Sequence, residues 1–379
     1  MAQLLRKSGA ITALHRRSIS VVTGALPPHM GLGGTPIAPQ FHPHHYNEDR
    51  KSAFLGHPHT VSIISAPCNS GQPNLGTEHG PRALLDAGLR EHITKLDWRV
   101  EEEALHFDAP AAADPQPPPG TRAKNCYAVG RASERIAASV AAKAAEESFV
   151  LVLGGDHSIG MGTVAGALRA RPELGVIWVD AHADINTPFN SLSGNMHGMP
   201  IAFVMDPLRA AIAPQMPGCE WLGAEAQPGL APDRLVYVGL RDVDNAEVEV
   251  LREHGVRCFT MTDIDRHGVG RVMEMAIEHA AGPAVDDGEG GRARRRPLHL
   301  SFDVDACDPE LAPSTGTVVR GGLTFREAHF VAEAVAETGL LVSMDMVEVN
   351  PQLGSSECQD RTASLATQII GSALGNRIM

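Results

Sequence analysis

Three short apolar runs, each ending in acid or imidazole, constrain this chain most. Val176-Ile177-Trp178-Val179 leads directly into Asp180-Ala181-His182-Ala183-Asp184. Pro297-Leu298-His299-Leu300 leads into Ser301-Phe302-Asp303-Val304-Asp305, and Phe149-Val150-Leu151-Val152-Leu153 into Gly154-Gly155-Asp156-His157. Each apolar run reads as a buried strand. In open α/β sheets, ligands bind at the edge where strands release their carboxyl ends. Strand-like runs alternate with helical stretches such as Gly130 to Glu147 and Thr324 to Glu337. That alternation predicts an α/β fold, a single-domain three-layer sandwich whose mostly parallel central sheet is flanked by helices.

On a strand, residues i, i+2 and i+4 share a face. Asp180, His182 and Asp184 therefore converge if the extended chain persists, and Asp303 and Asp305 do the same. With His157 the set holds four carboxylates and two imidazoles. One small cation does not need that much negative charge, and burying an unpaired carboxylate is costly. Two divalent ions sharing bridging carboxylates remove the conflict. Oxygen-rich ligation with a minority of imidazole favours manganese over thiolate-bound zinc. Two metals about 3.5–4 Å apart can hold one water as hydroxide near neutral pH. A hydrolase is the leading reading on these grounds.

The residues also resemble the ureohydrolases, and among them the arginases, from about Val61 to about Gly371. The matching stretches are Gly154 to Ser158, Asp180 to Pro188, Ser193 to Gly198, Gly239 to Asp244, Ser301 to Asp305 and Met346 to Pro351. The resemblance implies that His157, Asp180, Asp184 and Asp303 hold one manganese ion. It implies that Asp180, His182, Asp303 and Asp305 hold the other, with Asp180 and Asp303 bridging. Asp184 also accepts a hydrogen bond from the bridging hydroxide in this reading. His197 matches the family's proton-shuttling histidine, and Glu348 the carboxylate that pairs with a guanidinium. Thr317 lies where the family lines its pocket. Asn186, Ser193 and Asn195 match the residues that hold an α-carboxylate, and Asp244 and Glu247 those that face an α-amino group. Neutral donors suit a carboxylate and acids suit an ammonium.

The implied reaction is manganese-dependent hydrolysis of L-arginine to L-ornithine and urea by a metal-bridging hydroxide. The alternatives are agmatine or another guanidino compound as substrate, or a noncatalytic scaffold of the same fold. A decarboxylated substrate would leave the carboxylate donors unpaired, a loss that sites built on hydrogen bonds penalise. A scaffold would be marked by a missing metal ligand or a missing His197, and neither is missing. Asp244 and Glu247 have a plainer reading as the first turn of a helix, where acids are favoured. Two departures stand out. The chain reads Asp305-Ala306-Cys307-Asp308-Pro309 where the family shows D-G-L-D-P, so Ala306 falls where glycine would adopt the backbone more easily. It also has Asn245-Ala246 after Asp244, where animal arginases tend to show Pro-Gly.

The formal net charge of −13 argues against a nucleic-acid or anionic-membrane surface. No apolar stretch is long enough for a membrane span. The six cysteines are dispersed, which in a large chain reads as reduced protein. Asp108 to Gly120, rich in Ala and Pro, reads as an exposed loop, and Pro283 to Pro297 as a solvated insertion. The first acid is Glu48, and Arg6, Lys7, Arg16 and Arg17 precede it. Residues 1–50 thus read as a mitochondrial targeting segment, with a cytoplasmic chain bearing a disordered arm as the alternative. The patch His42-Pro43-His44-His45 falls in that arm. The catalytic domain is expected to span 59–379. The family resemblance implies homotrimers or homohexamers, and the helical stretch Thr362 to Leu374 is a candidate contact surface.

Overall fold

The apolar runs form the centre of one parallel sheet. The computed structural model describes residues 52, 54–57, 59–286 and 293–376. Ten strands occur in them: β1 (Thr60–Ala66), β2 (Arg99–Ala104), β3 (Phe149–Gly154), β4 (Gly175–Val179) and β5 (Leu235–Leu240), then β6 (Arg257–Thr260), β7 (Val285–Asp286), β8 (Ala293–Arg294), β9 (Leu298–Asp303) and β10 (Leu341–Val347). Eight of them build the main sheet in the order β2-β1-β3-β10-β9-β4-β5-β6, and every pairing is parallel. β7 and β8 form a separate antiparallel pair inside the predicted insertion.

Every residue of β3, β4, β5, β9 and β10 is buried. Strands covered on both faces need this near-continuous apolar character. The covering helices fall into two groups. Cys126–Ala145, Gly160–Ala170 and Pro200–Val204 pack in series, while Met261–Ala281, Phe325–Glu337 and Ser356–Ala373 pack in another. The result is the expected three-layer sandwich, with the sheet parallel throughout its eight strands.

Helix ends follow local chemistry. The side chain of Thr324 accepts from Glu327 N, and Glu327 reaches back to Thr324 N, which fixes the start of the helix Phe325–Glu337. The last helix begins at Ser356, not at Thr362 as read from sequence, because Ser355 caps it through Cys358 N. Residues 108–120 carry no helix or strand and are mostly exposed. No helix among the described residues is long and apolar enough to cross a membrane. Residues 1–50, with the His42 to His45 patch, lie outside the described residues, as do residues 287–292 of the charged insertion.

The consequence for function lies at the carboxyl edge. β3, β10, β9, β4 and β5 are consecutive neighbours, so the segments that follow them are released side by side.

Candidate metal centre and active site

Turns, not strand alternation, bring the metal-capable residues together. β4 ends at Val179, before the first carboxylate, and Asp184 adopts a left-handed backbone with φ 51°. The extended conformation expected over 180–184 therefore does not persist. At the end of β9 the Asp303 carboxylate accepts a 2.8 Å hydrogen bond from Asp305 N. It thereby fixes the tight turn Val304–Ala306 that aims Asp305. Ala306 takes no positive φ there, so glycine's freedom is not required. After β3, Asp156 accepts from Ser158 N at 2.9 Å and from Gly71 N at 2.7 Å. Gly155 has no alternative: a Cβ on it would lie 1.8 Å from the Cys68 carbonyl oxygen.

These turns gather six side chains. His157 Nδ1 lies 3.0 Å from Asp180, 3.1 Å from Asp184 and 3.1 Å from Asp303. His182 Nδ1 lies 3.4 Å from Asp180 and 3.1 Å from Asp305. Asp180 thus belongs to both groups. Although three carboxylate oxygens stand this close, the buried His157 Nδ1 has no hydrogen-bond partner of acceptable geometry. The ligand atoms of His157, Asp180 and Asp184 lie within 4.8 Å of one another, as do those of Asp180, His182 and Asp305. That arrangement, in an oxygen-rich set, fits divalent cations.

The electrostatics agree. Burial pushes Asp184 up to about 6, with Asp180 beside it adding to the rise. Asp303 is raised well above the usual carboxylate range by burial and by the Asp305 and Asp180 charges. Burial alone would lower His182, but Asp180 and Asp305 outweigh it and push it up to about 12. Without cations the cluster holds itself together by retaining protons. Dications in their place would remove the mutual repulsion.

His197 and Glu348 lie beside this cluster. Glu348 is 1% exposed and follows β10 with a left-handed φ of 63°. It accepts from His157 N at 2.9 Å and from Gln72 Nε2 at 2.6 Å. Its Oε1 is 3.3 Å from His197 Nδ1. Burial would lower the imidazole, but its contact with Glu348 outweighs that and holds His197 at about 9. Thr317 donates to Asp305 Oδ2 at 2.8 Å.

A cavity of about 140 Å³ opens onto the cluster, lined by His182, Asp184, Asn186, His197, Asp244, Glu247 and Thr317 among others. Glu247 is 4% exposed and accepts from Ile185 N and Asp244 N. It therefore ties the metal loop to the helix Asn245–Glu253 while it also faces the cavity. Burial pushes it up to about 7. Asn186 Nδ2 donates to Asp244 Oδ2 at 3.1 Å, so one of its donors is already engaged. Ser193 and Asn195 stand outside this lining, on the adjoining loop, where Ser193 Oγ accepts from Asn195 N.

Several residues around the centre escaped the sequence reading. Trp178 stacks on the His157 ring at 4.1 Å and donates to Asp180 Oδ2 at 3.0 Å. Behind His157, Nε2 lies 2.9 Å from Ser301 Oγ, which donates to Asp345 at 2.7 Å. Asp345 also accepts from Thr163 and lies 3.2 Å from His299. The signal was available: His299 and Ser301, like Ser343 and Asp345, are polar residues at alternate positions of otherwise apolar strands. Arg241 anchors the turn that carries Asp305, donating to the carbonyls of Asp305, Ala306, Cys307 and Val319.

Comparison with known proteins agrees with this architecture. The model of the arginase family matches residues 59–375. Human arginase-1 is 43% identical, with 83% of this chain and 93% of that one covered. Rat mitochondrial arginase-2 is 42% identical over 84% of this chain and 85% of the relative. The solved structure of Bacillus caldovelox arginase superposes with a TM-score of 0.73 and 38% identity, covering 84% of this chain and 99% of that one.

Proposed function

Because the chain belongs to the arginase family, we propose that it hydrolyses L-arginine to L-ornithine and urea with two manganese ions. The observation that carries the proposal is the convergence of two histidine–carboxylate groups on a shared Asp180, beside the His197–Glu348 pair. His157, Asp180, Asp184 and Asp303 would hold one ion, and Asp180, His182, Asp303 and Asp305 the other. When bound, the ions supply a water of lowered pKa and neutralise charge that develops on the reacting group.

The chain's own residues do the rest. Glu348 is kept ionised: burial would raise it, but His197 and the His157 N–H hold it below the usual range. Its carboxylate receives the guanidinium and fixes the plane of that cation, a positioning effect of the kind that accounts for much of catalysis. The leaving amine needs a proton. Glu348, 3.3 Å from His197 Nδ1, favours the protonated imidazole and holds its ring in place. Asp184 sits across from His157 as a proton acceptor. Thr317 orients Asp305. Asn186, Ser193 and Asn195 receive the α-carboxylate, and Asp244 and Glu247 the α-amino group.

The same reading takes residues 59–379 as the catalytic domain and 1–50 as a segment directing the chain to mitochondria. The run of bases before Glu48 supports the latter. Assembly as a homotrimer or homohexamer is proposed on family grounds.

The test is urea release from L-arginine and from agmatine, run side by side on manganese-loaded protein. Urea from L-arginine alone supports the reading. Urea from agmatine alone would overturn the amino-acid end of the pocket.

A further inference from the structure

Beyond the carboxylates that would hold the two ions, the charged side chains lining the cavity, apart from the two imidazoles, are Asp242, Asp244 and Glu247, all acids. That field attracts a guanidinium and an ammonium. It repels a carboxylate, and neutral amide and hydroxyl donors offset such repulsion only partly. A cation at the carboxylate end of an amino-acid site would offset that repulsion.

The segment 121–125 provides one. It runs along the loop that holds Ser193 and Asn195. Arg122 N donates to Pro188 O at 2.7 Å, and Lys124 N to Gly194 O at 2.8 Å. The two cations of this segment differ in use. The Arg122 guanidinium is turned onto the carbonyls of Ser191 and Leu192, so it braces the loop. The Lys124 ammonium reaches the functional side chain itself, donating to Asn195 Oδ1 at 3.1 Å. An ammonium has three N–H donors, and this bond uses one. The contact also fixes the Asn195 amide. With Oδ1 held by Lys124, Nδ2 is the group left to donate to an anion.

We propose that Lys124 determines specificity for an α-carboxylate, placing a positive charge at the one end of the site where the substrate is anionic and aiming the Asn195 amide toward it. The inference rests on the arginase reading above and deepens it. It distinguishes α-amino acid ligands from their amides and from decarboxylated amines. The Lys124 side chain is exposed, so its charge acts through partly screened solvent and the effect is moderate.

The experiment uses the manganese-loaded full chain, Lys124→Met and Lys124→Arg. Met keeps the apolar stem without the charge, and both variants keep the backbone bond to Gly194. Calorimetry measures binding of L-ornithine and of L-ornithinamide, whose carboxamide is neutral. For Lys124→Met we expect L-ornithine to bind about threefold to fivefold more weakly, the upper range for an exposed charge pair. Binding of L-ornithinamide should change by less than about twofold. Lys124→Arg should recover most of the loss. In turnover of L-arginine the loss should fall on KM rather than kcat.

Equal weakening of both ligands, or of neither, would overturn the proposal. If the unsubstituted protein releases urea from L-arginine while Lys124→Met shows no such discrimination, only the role of Lys124 falls. If the unsubstituted protein binds no L-ornithine, both the arginase reading and this inference fall.

Discussion

Ser301 Oγ lies 2.9 Å from His157 Nε2, on the side of the imidazole away from the carboxylates that face Nδ1. The hydroxyl is held in turn by Asp345, which is fully buried. Partners of this kind fix the ring orientation and tautomer of a metal-binding histidine. Ser301→Ala should weaken manganese binding by about 10–100-fold, the usual cost of losing such a partner. Equilibrium dialysis measures it, and an unchanged affinity would contradict the role given to Ser301.

Metal removal should make stability depend on pH in a definite direction. Asp184 and Asp156, both near 6, and Glu247, near 7, have folded values above those of the unfolded chain. Between about pH 4 and pH 7 the folded state binds more protons, so stability falls as pH rises. His157 and His182 are also raised, so their contribution is complete below about pH 6.5 and is lost as pH rises further. Both trends have the same sign. The melting temperature of chelator-treated protein should fall from pH 5 to pH 9, and added manganese should restore most at the alkaline end. A chelated protein more stable at pH 9 than at pH 5 would contradict this.

His197 should titrate near pH 9 in the metal-free protein, followed by NMR of its imidazole carbons. Glu348→Gln removes the charge that raises it and should bring the value down toward the ordinary histidine range. The folded value lies above the unfolded one, so this pair stabilises fully below about pH 6.5 and ceases to do so as pH rises through about 9. A midpoint unmoved by Glu348→Gln would refute the pairing.

Arg241 serves five backbone carbonyls, those of Gly239, Asp305, Ala306, Cys307 and Val319. Lysine lacks the planar fork and cannot reach this set. Arg241→Lys should cost roughly 2–4 kcal/mol, because partly buried acceptors lose their donors. It should also weaken metal binding through the displaced Asp305. Denaturant unfolding gives the first quantity and metal titration the second, and a variant as stable as its parent would contradict the account.

The fold was legible because β3, β4 and β9 are apolar runs that end in chemistry, and only a sheet covered on both faces explains such runs. That the six side chains after them would meet was legible for the same reason. The route to it was not. Alternation suggested an extended 180–184, but the left-handed Asp184 and the Asp303-capped turn do the aiming, and backbone angles of non-glycine residues leave no mark in sequence. Asp345 and His299 were missed because they meet only through pairing of strands distant in the chain, and Thr163 because it reaches Asp345 from the helix Gly160–Ala170. Lys124 was missed because its partner Asn195 lies 71 residues away, across a loop contact.

Titration of metal-free protein with manganese, with bound metal and urea release from L-arginine measured at each step, tests the central claim most directly. Activity should rise with bound metal and level off at two ions per chain. Two ions bound with no urea released, or urea released by protein that holds none, would contradict it.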